Sequence, residues 1–298
     1  MKVVYGHTDS IYVDIEDNSI ETAKKIVDIL NEHVRKLFPN VLGLEEHPVT
    51  LEFEKYFKTL GVGATKNRNA GLIIWKDDKH LEEEEFTMTG FTAKRVSNTK
   101  LAKDVQLTVL NMWIQNTPEK EIVDYLNNMY NSVLHGEIPI SDILKRSRYR
   151  EERFQVVCNT CKQTNSMFDL IEETCCGAPK SYQTIGGKRP TIGSGIEGVL
   201  FSRSIGYQPI DDSFLFLRIR NCNQTYLNPI IDKMVVPNYV SFLLESDFTE
   251  GKLLNFTPDW QHYADSVVKK AEPVFRAMGW DLKQITNDRN QMRLDEWF

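Results

Sequence analysis

Residues 1–13 read MKVVYGHTDSIYV, with apolar runs on either side of a tight polar turn. Val3, Val4 and Tyr5 precede the turn, and Ile11, Tyr12 and Val13 follow it. The pattern predicts a β-hairpin with Asp9 held at its tip. Two strands alone do not form a stable sheet in water. The rest of that sheet has to come from later strands of this chain or from another chain.

The chain has 298 residues, 41% hydrophobic and 26% charged, enough to bury a core and room for two. No apolar run is long enough to predict a membrane span, and the start reads as a strand rather than a basic-then-apolar leader. An intracellular protein is expected, in cytoplasm or nucleoid. A net charge of −6 and a pI near 5.6 argue against a uniformly basic nucleic-acid coat. They leave room for a local basic track, because phosphate contacts depend on local Lys and Arg density. The acidic run Glu82–Glu85 reads as a solvated loop.

Helical spacing of Ile20, Ala23, Ile26, Val27, Leu30 and Val34 predicts a helix over 19–37, capped by Ser19 and stopped at Phe38-Pro39-Asn40. Residues 48–76 read as two or three strands, with Val49, Leu51 and Phe53 alternating against Thr50, Glu52 and Glu54. Further helices are predicted over 97–115, 118–135 and 259–280, and a loop at Gly193 opens another before a strand over 214–219. Lys145, Arg146, Arg148 and Arg150 form the densest cationic run.

Tyr5-Gly6-His7-Thr8-Asp9-Ser10 resembles Y-G-D-T-D-S, the metal-binding hairpin of family B DNA polymerases. His7 stands where the family has its first aspartate, and Asp9 stands at the second, the position more directly tied to metal. The resemblance makes Asp9 the catalytic residue and an Mg²⁺ ligand, with Thr8 an expected DNA contact. Mg²⁺ takes hard oxygen ligands, and a pair of such ions can clamp attacking and leaving oxygens. The resemblance continues through LEFEKYF, where Glu54 is a second expected Mg²⁺ ligand. An exposed acidic strand face is the alternative there. Lys66 and Arg68 fall where relatives carry the primer-gripping K-K-x-Y, with Asn67 and Asn69 replacing its second lysine and its tyrosine. Gly90, Lys94 and Arg95 match K-G-x-x-x-x-R-R, which joins palm to thumb. Lys66, Arg68, Lys94, Arg95, Arg146, Arg148 and Arg203 are the expected phosphate-binding residues.

The implied fold class is α+β. A partial palm, an antiparallel sheet with a helix, occupies 1–90. A mainly helical thumb follows over 91–285, with insertions near 154–190 and 221–250. The first insertion holds Cys158, Cys161, Cys175 and Cys176 within nineteen residues. That density favours a structural Zn²⁺ site, with one of the adjacent pair a possible spectator. Two disulfides or free thiols are the alternatives. Cys222 reads as a core thiol.

Residues 286–298 form the predicted tail, in which Gln291, Leu294, Trp297 and Phe298 match the sliding-clamp box. One tight turn puts Leu294, Trp297 and Phe298 on one side, where they can fill an apolar pocket. The tail and cysteines are compatible with an archaeal or viral source. The family's other catalytic aspartate, its fingers helix and its exonuclease are absent from this sequence. The expectation is a C-terminal polymerase part, naturally split or cut. It would use primer-template DNA and deoxynucleoside triphosphates, with a second chain completing the active site and a sliding clamp tethering it. A non-catalytic, polymerase-derived DNA-binding and clamp-tethering subunit is the alternative, motivated by His7, Asn67 and Asn69.

Overall fold

A central strand buried along most of its length organises the first part of the molecule, which we describe from a computed structural model. The structure describes residues 1–285 except Thr8, Asn18, Val96, 172–174, Lys252 and Leu254; of His7 it describes the backbone only. The chain divides into two units. One comprises residues 1–91 and 107–123 and the chain from Ala271; the other comprises 92–106 and 124–270.

In the first unit, β1 (Lys2–His7) and β2 (Ser10–Asp14) form an antiparallel hairpin. Helix α1 (Ile20–Leu37) follows, with Ser19 as its N-cap accepting from the Thr22 amide. A three-stranded antiparallel sheet has the order β3 (Lys55–Val62), β4 (Asn69–Lys76), β5 (Lys79–Thr89). Ala70, Leu72, Ile73 and Trp75 of β4 are buried. Gly61 of β3 lies against Trp113 and Ile114, so closely that a Cβ there would meet the indole at 2.5 Å.

Two predicted local structures are corrected. Residues 51–54 are not a strand, because the Asn31 side chain takes both backbone groups of Leu51 at 2.8 and 2.9 Å. Phe53 instead stacks on Trp75, with ring centroids 4.3 Å apart. The acidic run Glu82–Glu85 is not a loop but part of β5, where Lys58 pairs with Glu84 and Lys76 with Glu85. Lys76 on the neighbouring strand β4, and Lys58 reaching across from β3, offset the repulsion along that edge.

Helices α2 (Lys100–Ile114) and α3 (Glu119–Leu134) each give one segment to each unit. Beyond residue 91 the described helices are joined by nine strands. The second unit contains β6 (Lys145–Arg148), β7 (Gln155–Cys158), β8 (Thr164–Ser166) and β9 (Tyr182–Gln183). After α4 (Ser194–Ser204) come β10 (Ser213–Arg220), β11 (Tyr226–Asn228), β12 (Lys233–Val235) and β13 (Tyr239–Phe242). The described chain ends with α5 (Glu245–Thr249), β14 (Thr257–Pro258) and α6 (Trp260–Met278). Strand β10 pairs β13 on one edge and β6 and β14 on the other. Small antiparallel sheets with helices packed beside them give an α+β arrangement.

The segment β7–β9 has no core of its own. Val156, Cys158, Met167, Leu170 and Tyr182 share one core with Leu200 and Phe201 of α4 and with Leu217 and Ile219 of β10. Buried Ser202 and Ser241 lock α4 to β13 through reciprocal hydrogen bonds of 2.7 and 3.0 Å.

Candidate nucleic-acid and metal site

In the hairpin, His7 pairs with Ser10, leaving positions 8 and 9 as its tip. Asp9 is exposed there, with its support set by both strands. Among the described residues the hairpin forms a sheet of two strands, and Val3 and Ile11 remain 58% and 50% exposed. Its attachment is lateral. Tyr12 lies 5.8 Å from Phe57, and the Tyr5 hydroxyl donates to Asn67 Oδ1 at 3.4 Å. Thr8 lies outside the described residues.

Glu54 is exposed and pairs with Lys55 at 2.7 Å; Glu52 is exposed as well. Among the described residues, neither Asp9 nor Glu54 joins a group of three or more side chains able to share an ion. An Mg²⁺ ion at Asp9 would therefore draw part of its oxygen shell from substrate phosphates or water rather than from a described cluster of three or more side chains.

Lys66 and Arg68 flank the turn between β3 and β4, with Lys66 exposed and Arg68 half-buried. Asn67 between them has φ 62°, a left-handed conformation that asparagine tolerates well. The turn is closed by the Gly63 amide donating to the Arg68 carbonyl at 2.8 Å. Asn69, at the position of the primer-contacting tyrosine, is buried.

The second unit carries the other cationic positions. Lys94 and Arg95 are both exposed in a short turn ahead of α2. Strand alternation puts Arg146 and Arg148 on the exposed face of β6, while Lys145 is half-buried. Arg146 donates to Ser213 Oγ at 3.2 Å. Burial lowers the Lys145 pKa. Burial also lowers that of His262, followed by the nearby Arg218 charge. Arg203 is half-buried, its guanidinium 4.0 Å from the centre of the Phe168 ring. That stacking leaves a smaller part of Arg203 for a phosphate than the sequence suggested.

All four expected cysteines converge. Their sulfurs lie within 4.8 Å of one another, and all four are free thiols. Cys158–Cys176 and Cys175–Cys176 are 3.8 Å apart, and Cys161–Cys175 3.7 Å. A tetrahedral ion with bonds of about 2.3 Å sets its sulfurs about 3.8 Å apart. The donor set thus fits Zn²⁺, with both members of the adjacent pair in place. The first pair sits on a tight reversal in which the Lys162 amide donates to the Cys158 carbonyl at 3.0 Å. The Cys158 thiol is held down to about 6, first by the Cys161 and then by the Thr160 amide. Cys175 is pushed up to about 12, chiefly by its contact with Cys158. Cys222 is half-buried beside the same core.

Two side chains escaped the sequence reading. In the turn that carries Lys94 and Arg95, Gln106 holds the Ala93 backbone amide and Lys270 the side chains of Thr92 and Asn98. A polar residue amid the apolar stripe Ala102, Val105, Val109 and Leu110 was the available signal for Gln106. The expected clamp residues Gln291, Leu294, Trp297 and Phe298 lie outside the described residues.

Comparison with known proteins follows the same line. The profile of DNA polymerase family B matches residues 1–160, more than half of the chain. The DNA polymerase delta catalytic subunit of Candida albicans is 26% identical over 188 residues, 63% of this chain and 16% of that protein. DNA polymerase 037L of Invertebrate iridescent virus 6 is 30% identical over 146 residues, 43% of this chain and 11% of that protein. DNA polymerase 2 of Aeropyrum pernix is 22% identical over 144 residues, 48% of this chain and 15% of that protein. The chain therefore covers only a small share of each relative's length. The match over 1–160 includes the hairpin, the β3–β4 turn and the Lys94–Arg95 turn described above, and the chain belongs to DNA polymerase family B.

Proposed function

We propose that this chain supplies part of the palm and the duplex-gripping thumb of a DNA-directed DNA polymerase. A second polypeptide would supply the fingers, the exonuclease and the remaining catalytic carboxylate. The observation that carries this reading is the Asp9 hairpin, a two-stranded sheet with exposed apolar faces inside the family match. Asp9 is the residue we assign to Mg²⁺, with Glu54 a candidate from the side. When bound, the ions would supply charge stabilisation at the transferring phosphoryl group. The chain's own residues would position the substrates. Lys66 and Arg68 would hold the primer strand, and Lys94, Arg95, Arg146, Arg148 and Arg203 duplex phosphates. Thr8 would touch DNA at the hairpin tip. Phosphate contacts fix register without reading sequence, as a polymerase requires.

The substrates in this reading are primer-template DNA and deoxynucleoside triphosphates. A Zn²⁺ on Cys158, Cys161, Cys175 and Cys176 would tie the β7–β9 segment to the core it shares with α4 and β10. Gln291, Leu294, Trp297 and Phe298 would dock on a sliding clamp, raising the local concentration of the enzyme on DNA. None of the described helices is long and apolar enough to cross a membrane. We place the protein with DNA inside the cell or virus-infected cell.

Two observations favour a second reading, a DNA-binding and clamp-tethering subunit without catalysis. Asp9 joins no described group of three or more metal-ligating side chains, and Asn69, at the position of the family's tyrosine, is buried. Primer extension by the reconstituted complex separates the two. The enzyme reading expects His7→Asp to change turnover little and His7→Ala to do less harm than Asp9→Ala. A large gain from His7→Asp favours the degraded site.

A further inference from the structure

The turn carrying Lys94 and Arg95 is closed by a ring of hydrogen bonds from α2 and α6. Gln106 of α2 is 3% exposed. Its Oε1 accepts from the Ala93 amide at 2.7 Å and from the Thr92 hydroxyl at 3.0 Å. Its Nε2 donates to the Lys270 carbonyl at 3.4 Å. The Lys270 ammonium then donates to Thr92 Oγ1 at 3.1 Å and to Asn98 Oδ1 at 3.2 Å. Within the turn, the Arg95 amide donates to the Thr92 carbonyl at 2.9 Å, and Asn98 Nδ2 donates to that same carbonyl at 2.6 Å. Thr92 is therefore held by four partners, two residues before Lys94.

We propose that Gln106 and Lys270 are positioning residues that fix the turn at Thr92–Arg95, so that Lys94 and Arg95 present a pre-set pair of cations to duplex phosphates. The proposal rests on the phosphate-binding role given to Lys94 and Arg95 above. A buried amide with its oxygen and its nitrogen both engaged fixes a backbone far more tightly than a surface turn fixes itself. Ordering cations before binding cuts the entropy cost of association. Lys270 adds a second mark of this role. It is half-buried, and the oxygens it donates to, Thr92 Oγ1 and Asn98 Oδ1, are neutral rather than carboxylate. Burial lowers its pKa, helped by Lys145 and then Arg95. A partly desolvated ammonium beside two other cations costs folding energy, and an incoming phosphate chain offsets that cost.

The test is binding of the full chain to a fluorescent primer-template duplex across a series of salt concentrations. Each lost phosphate contact lowers the slope of log affinity against log salt by about one. Lys94→Ala with Arg95→Ala is expected to lower it by about two. Gln106→Leu changes no charge, yet it is expected to lower the slope by about one or more. On the Lys94→Ala, Arg95→Ala background it is expected to add nothing. A folded Gln106→Leu protein with the original slope overturns the proposal, and so does full additivity with the double variant. If Gln106→Leu does not fold, Thr92→Val removes the hydroxyl shared by Gln106 and Lys270, and the same two criteria apply. An unchanged slope in Lys94→Ala, Arg95→Ala would instead overturn the phosphate reading on which the proposal stands.

Discussion

Gly90 and Asn67 meet backbone to backbone: a Cβ built on Gly90 would stand 1.8 Å from the Asn67 carbonyl oxygen. Both residues are in left-handed conformations, at φ +75° and 62°. The pairing of Asn69 with Thr89 brings their segments together. The β3–β4 turn with Lys66 and Arg68 and the glycine that precedes the Lys94–Arg95 turn are thus one contact.

Gly90→Ala should accordingly destabilise the chain by about 2–4 kcal/mol, from a strained φ together with a backbone clash that no rotamer relieves. Urea unfolding of the full chain measures this. A midpoint unchanged from the original protein would show that the turn moves aside at no cost.

The local signals in the sequence were legible wherever a short stretch settles its own conformation. Ser19 caps α1 as its position before the apolar stripe requires, and the apolar turns around Leu101–Leu110 and Ile122–Val133 became α2 and α3. Legibility failed where a distant side chain decides. Leu51 satisfies its backbone on Asn31, so the alternation from Val49 to Glu54 did not yield a strand. Glu84 sits in a sheet because Lys58, from another strand, faces it. Strands as short as β9, β11 and β14 carry no period that a sequence can display. At the site, the cysteine spacing announced a cluster, but only the folded chain shows that both Cys175 and Cys176 reach it. The ring through Gln106 and Lys270 spans 164 residues of sequence.

Zinc is expected at one ion per chain, measured by elemental analysis under reducing conditions. Removing it with a chelator should lower the melting temperature by about 5 °C or more, since about 1 kcal/mol shifts a domain of 150–250 residues by roughly 2–4 °C. Cys158→Ser should reproduce that loss, because Cys158 is the buried member of the four. A metal-free protein that melts unchanged on chelation would leave the cluster as four packed thiols.

Deleting residues 291–298 should abolish clamp binding while leaving the melting curve of the body unchanged. Leu294, Trp297 and Phe298 would each bury roughly 1.5–3 kcal/mol of apolar surface before ordering costs. At about 1.4 kcal/mol per factor of ten, the affinity should fall at least 100-fold. Calorimetry with the cognate clamp decides the matter, and equal affinity for intact and shortened chains would contradict the docking role.

Primer extension with Mg²⁺ and deoxynucleoside triphosphates tests the shared-active-site account most directly. The chain is assayed alone, then with a polypeptide bearing the remaining family B motifs, then in that complex as Asp9→Ala. The account predicts no extension by the chain alone, extension by the complex, and its loss in Asp9→Ala while duplex binding persists. Robust extension by the chain alone, or near-normal turnover of the Asp9→Ala complex, would contradict it.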